Sequence, residues 1–127
     1  LHISFSPYNK GAHPIFWAIY DKNECGITIH ELDEGIDTGP IIFQKKVKID
    51  EQLYTFVRAH QRLKLEIEEM FIENIDEILD LRWKAVDQSE EGTIHKKSDL
   101  PIEFIGWDTI IYDEIRRIKL LKDIMDA

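Results

Sequence analysis

Two side chains in this sequence have the types to hold and move a proton. His2 lies in the apolar run "LHISF", and Asp37 lies in the loop "DEGIDTGP". A carboxylate hydrogen-bonded to an imidazole fixes its tautomer and favours its charged form, which suits it to polarising a carbonyl or relaying a proton. Spacing alone does not join them, because a His and an Asp 35 residues apart are ordinarily unrelated. Other chemistries are excluded more firmly. As a calcium loop, "DEGIDTG" would place Gly35 where an oxygen ligand is needed and Thr38 where a glycine is needed. His2, His13, His30, His60 and His95 show no zinc-ligand spacing and Cys25 is alone, so no metal is expected. There is no glycine-rich phosphate loop.

These groups need elements to position them. Leu1–Phe5 alternates and ends at Ser6-Pro7, which reads as a strand entering a loop. "HPIFWAIYD" reads as two helical turns with Pro14 near the start. Two strands follow, with Ile27, Ile29 and Leu32 on the first and Ile41, Ile42, Phe43, Val47 and Ile49 on the second. The connection between them is too long for a two-residue hairpin and rich in Asp and Gly, which marks a working loop. From about Leu53 to Leu81 the period changes, and Phe56, His60, Leu63, Ile67, Met70, Phe71, Ile75, Ile78 and Leu79 predict one long amphipathic helix. "DQSEEGTIHKKSDLP" is polar and irregular. A last helix is predicted from Ile111, Ile115, Ile118, Leu121 and Ile124 on one face. The order is that of the tail of an α/β fold, with few of the crossovers a parallel sheet needs.

The chain has 127 residues, enough for one small domain with a core. No apolar run approaches a membrane span, and the lone cysteine fits a reducing cytoplasm. The formal charge is −9, of which residues 1–50 carry −2 (five basic, seven acidic) and residues 51–127 carry −7 (eleven basic, eighteen acidic). Such a chain repels phosphate backbones, so wholesale nucleic-acid binding is disfavoured. Arg116, Arg117, Lys119 and Lys122, interleaved with Asp113, Glu114 and Asp123, read as a solvated helix face.

Taken together, "LHISFSPYNKGAHPIFWAI" and "GITIHELDEGIDTGPIIFQKKV" resemble the catalytic core of the folate-dependent formyltransferases. The matching positions are His2, Ser4, Pro7, Gly11 and Asp37, and the likeness is close over residues 1–48 and looser beyond. The resemblance implies the C-terminal half of a Rossmann-like α/β catalytic domain over residues 1–82, then a small helical and irregular extension over 83–127. It implies formyl transfer from 10-formyltetrahydrofolate to a primary amine, without a metal. The family's catalytic Asn would stand directly before Leu1, after a nucleotide-fold half, so these residues alone are expected to be inactive. Protonated His2 would hold the developing oxyanion with that Asn. Asp37 would orient His2, sustain its charge and take the amine's proton through water. Asp33, Glu34, Gly35 and Ile36 would border the pterin ring, with Gly35 relieving the loop of a Cβ.

Several residues keep two readings. Ser4 either closes the strand end or serves the site. Tyr8, Asn9, Lys10 and Gly11 line the acceptor pocket in the resemblance, or merely shape a loop. His30 matches a family histidine but reads better as packing, and Trp17 as core. The run "SPYNKGAHPIFWAI" resembles the branch that formylates nucleotide-linked amino sugars more than the methionyl-tRNA branch. A rival of another class is a non-catalytic folate-binding or dimerisation module, a homodimer pairing through the long or the last helix. Convergence of His2 and Asp37 on one site would favour the enzyme.

Overall fold

The computed structural model describes residues 1–80, 83–88 and 91–126. In chain order the elements are β1 (Lys10–Gly11), α1 (Pro14–Tyr20), β2 (Gly26–His30), β3 (Ile41–Lys46), α2 (Phe56–Glu73), α3 (Ile75–Leu79), β4 (Ile94–His95) and α4 (Ile111–Asp126).

Proline fixes φ and lacks an N–H that the first helical turn would leave unpaired, so Pro14 suits the start of α1. This helix buries Ile15, Phe16, Trp17 and Ala18. Strands β2 and β3 pair antiparallel, as the two apolar runs predict, with a register shift between Ile29 and His30. That shift ends the alternation, and Leu32, read as part of the first strand, is 93% exposed beyond it. Val47 and Ile49 are buried but follow the end of β3.

Helix α2 begins later than its periodicity implies, because the Thr55 hydroxyl accepts the Arg58 N–H at 3.2 Å and caps it. Phe56, Ala59, Leu63, Ile67 and Met70 form its buried stripe, which packs on β2 and α1. The predicted single helix is interrupted at Asn74, whose side chain donates to the Met70 carbonyl at 2.8 Å. One further turn, α3, buries nothing. Leu81, where the helix was expected to end, lies outside the described residues, as do Ser89 and Glu90. Leu65, Ile72 and Leu79, seven apart, are exposed along α2 and α3.

Leu1–Phe5 is not a strand. Only His2 pairs, exchanging backbone hydrogen bonds of 2.8 Å with Thr28. Beyond it the Thr28 hydroxyl donates to the Ser4 carbonyl at 2.7 Å and accepts from the Ser6 N–H at 3.2 Å. A side chain thus replaces the ladder, and the backbone turns away through a cis Ser6–Pro7 bond. The tract read as irregular contains β4, which pairs parallel with β1. In α4, Ile111, Ile115 and Ile118 are buried, whereas Ile124 is exposed because the helix outruns the core. Its basic residues are not all solvated. Lys119 donates to the Tyr20 carbonyl at 2.9 Å, and Arg117 pairs with the buried Glu114.

Candidate active site

His2 and Asp37 converge. The single bridge to β2 fixes the His2 backbone, and its imidazole is buried. Its Nε2 lies 3.0 Å from the Asn9 carbonyl and 3.6 Å from Asp37 Oδ2. A backbone carbonyl only accepts, so Nε2 carries the hydrogen and Nδ1 of the neutral ring is the free base. Burial pushes the imidazole below its ordinary range, outweighing the opposing pull of the Asn9 carbonyl and of Asp37. Burial thus favours the neutral ring, while the Asn9 carbonyl and Asp37 favour the protonated form that the resemblance implies.

Asp37 sits in the left-handed region at φ 53°. Its Oδ2 accepts the Gly11 N–H at 2.9 Å. Gly11, at φ 84°, is a position for glycine alone, since a Cβ there would stand 2.3 Å from the His95 carbonyl oxygen. On the other side of the carboxylate, His30 Nε2 stands 3.5 Å from Asp37 Oδ1, while His30 Nδ1 donates to the Glu31 carbonyl at 2.7 Å. The carboxylate thus lies between two imidazoles. His30, read from the sequence as packing, belongs to this group.

The remaining expected residues are placed less directly. Asp33, Glu34, Gly35 and Ile36 form an exposed turn. Within it Asp33 Oδ1 accepts from the Gly35 N–H at 2.9 Å and the Thr38 hydroxyl at 2.6 Å, which holds the carboxyl below its ordinary range. Gly35 is needed because a Cβ would meet that hydroxyl at 2.1 Å, not because its φ is positive. Leu32 and Ile36 expose apolar surface at this turn. Asn9 is buried, its amide N–H donating to the Thr93 hydroxyl at 2.7 Å. Lys10 is drawn away to the Glu91 carbonyl at 2.6 Å, and Tyr8 is partly buried. Ser4 is buried with its hydroxyl unpaired among the described residues. An apolar cavity of about 370 Å³, lined by His13, Phe16, Phe56 and Trp107 among others, contains neither His2 nor Asp37. No group of His, Cys, Asp and Glu suited to a metal is found among the described residues. Nor is any described helix long and apolar enough to cross a membrane.

A buried imidazole beside a partly buried carboxylate on an α/β scaffold is an arrangement that can hold and move a proton. The chain belongs to the formyl transferase family, whose model matches residues 1–75. Over 121 residues it is 33% identical to dTDP-4-amino-4,6-dideoxyglucose formyltransferase of Mycobacterium tuberculosis, covering 94% of this chain and 46% of that protein. Methionyl-tRNA formyltransferase of Caldicellulosiruptor saccharolyticus is 31% identical over 126 residues, covering 94% of this chain and 39% of that one. Among solved structures, the formyltransferase PseJ from Anoxybacillus kamchatkensis, in complex with UDP-4,6-dideoxy-4-formamido-L-AltNAc and tetrahydrofolate, matches at 36% identity with a TM-score of 0.81. The match covers 87% of this chain and 60% of PseJ. The chain thus spans less than half the length of these curated relatives.

Proposed function

We propose that the protein transfers a formyl group from 10-formyltetrahydrofolate to the primary amine of a nucleotide-linked amino sugar. The observation that carries this reading is the 3.6 Å approach of His2 to Asp37 in a chain of the formyl transferase family. The folate supplies an activated formyl carbon, and its ring would lie against the 33–36 turn beside Leu32 and Ile36. As the amine nitrogen bonds that carbon it must lose a proton, and neutral His2 accepts it at Nδ1. The imidazolium so formed is held by the Asn9 carbonyl and Asp37, and its new N–H is a donor for the oxyanion. When the tetrahedral intermediate collapses, the bond from the formyl carbon to N10 breaks and the His2 proton passes to N10 of the departing tetrahydrofolate. Asp37 orients the ring and offsets its charge, with His30 on the far carboxylate oxygen.

The sugar acceptor is favoured by the names of the mycobacterial relative and PseJ, and by the net charge of −9, which suits transfer RNA poorly. Residues 1–82 are read as the catalytic part and 83–127 as its extension, in a cytoplasmic enzyme. The exposed Leu65, Ile72 and Leu79 would suit a homodimer contact. Methionyl-tRNA is the second acceptor, from the likeness at 31% identity.

The test is release of tetrahydrofolate by the protein as its host makes it, with a dTDP-linked amino sugar in one well and methionyl-tRNA in another. Turnover only with the sugar supports the reading. Turnover only with the tRNA selects the second acceptor. Folate binding without turnover on either points to the non-catalytic module. His2→Ala is expected to cost roughly 10²–10⁴-fold in rate, and near-normal turnover would sink the assignment.

A further inference from the structure

Residues 83–88 and 91–95 lie beyond the family model's match, yet several of them touch both halves of the site. Trp83 Nε1 donates to Glu31 Oε1 at 2.9 Å, and Val86 exchanges backbone hydrogen bonds of 2.8 Å with Ile41. Further on, Thr93 takes the Asn9 amide. Between these anchors Gln88 faces the catalytic loop. Its Nε2 donates to the Asp37 carbonyl at 3.0 Å and to the Gly39 carbonyl at 2.8 Å.

We propose that Gln88 is the positioning residue for Asp37, its carboxamide locking the loop backbone so that the Asp37 carboxylate stays on the Gly11 amide and between the two imidazoles. Its part in formyl transfer rests on the function proposed above. Three observations converge on it. Asp37 is a non-glycine residue in the left-handed region, a conformation that persists only where the surroundings over-determine it. Its side chain is held by Gly11, but its own carbonyl and that of Gly39 are held by Gln88. The loop also has no slack at Gly39, where a Cβ would fall 1.6 Å from the Glu31 carbonyl oxygen. A primary carboxamide has two N–H bonds on one nitrogen, and both are spent on neighbouring turns of a single loop. Neither a carboxylate nor a thioether of similar length could replace them.

Gln88 touches neither His2 nor His30 through any of these bonds, so it acts only through where Asp37 sits. A displacement of the order of 1 Å at such a group costs roughly 10²-fold in rate, with substrate binding largely spared.

The test uses the protein as its host makes it, labelled with ¹⁵N-glycine, as wild type, Gln88→Met and Gln88→Glu. The Gly11 amide reports the Asp37 carboxylate, and Gly26, buried at the start of β2, reports the fold. In both variants the Gly11 resonance is expected to move while Gly26 stays. The kcat for formyl transfer is expected to fall roughly 10–10²-fold with KM for the amine little changed. A fixed Gly11 resonance or a retained kcat in Gln88→Met would overturn the proposal. So would a Gly26 resonance that moves as well, because Gln88 would then support the fold at large. If the wild type forms no formylated product yet Gly11 still responds, the placement of Asp37 stands and only the reaction assigned to it falls.

Discussion

The Gly11 amide donates to Asp37 Oδ2 at 2.9 Å, across 26 residues of chain. This bond joins the loop that carries the His2 acceptor, Asn9, to the loop that carries the carboxylate.

Gly11→Ala should therefore damage both stability and activity. The new Cβ would meet the His95 carbonyl oxygen at 2.3 Å, and φ 84° is unfavourable to any alanine. Stability is expected to fall by more than about 1 kcal/mol, read by urea denaturation. Formyl transfer should fall in the molecules that remain folded. An alanine variant with wild-type midpoint and rate would show that β1 and β4 separate without consequence.

The pH profile separates two forms of His2. Burial lowers its folded pKa below 6.5, so the folded protein gives up this proton more readily than the unfolded chain. Stability from this group is then full above pH 6.5 and declines as the pH falls. If neutral His2 is the base, kcat/KM should be flat through neutrality and drop on the acid side, with an apparent pKa below 6.5. Activity that instead disappears as pH rises through 6.5 would make the protonated ring the working form.

Cys25 is buried, which pushes its thiol up to about 11. Its thiolate is scarce at neutral pH, so Ellman's reagent should react with the native protein far more slowly than with the urea-unfolded chain. Equal rates in the two states would place Cys25 at the surface.

Phe16 is fully buried among aromatic rings, with centroids 4.9 Å from Trp17, 5.5 Å from Phe104 and 6.0 Å from Phe56. Phe16→Ala should cost ~3–5 kcal/mol, measured by denaturant unfolding. A loss below about 1 kcal/mol would mean that the neighbouring cavity and its aromatic wall collapse to refill the space.

The helices and the β2–β3 pair were legible because their apolar residues recur with the right period. Ile27 with Ile29, and Phe56 through Met70, are buried as that period requires. Failures came where side chains replaced backbone pairing. Leu1–Phe5 alternates like a strand, but Thr28 serves Ser4 and Ser6 through its hydroxyl. Leu32 was read one register too far because the shift at Ile29 and His30 has no sequence mark. Among the residues of the site, His2 and Asp37 drew attention by type and by resemblance. His30 could have been weighted higher, since it stands at the entry of the loop that carries Asp37. Gln88 had no signal at all: an isolated glutamine in a polar tract reads as solvated until the partner carbonyls, 49 and 51 residues away, are known.

The bond between Asn9 and Thr93 closes a loop of 84 residues. Contacts between such distant points form late, because the chain must lose the entropy of that closure before the bond rewards it. During synthesis the α1, β2–β3 and α2 segments can gather while residues beyond 80 are still in the ribosome. The bonds from Gln88 to the Asp37 loop and from Thr93 to Asn9 form only after those residues emerge. A nascent chain halted after α3 would lack both the α4 isoleucines of the core and the Gln88 and Thr93 contacts to the site. The geometry around His2 and Asp37 thus rests on the least patterned stretch of the sequence.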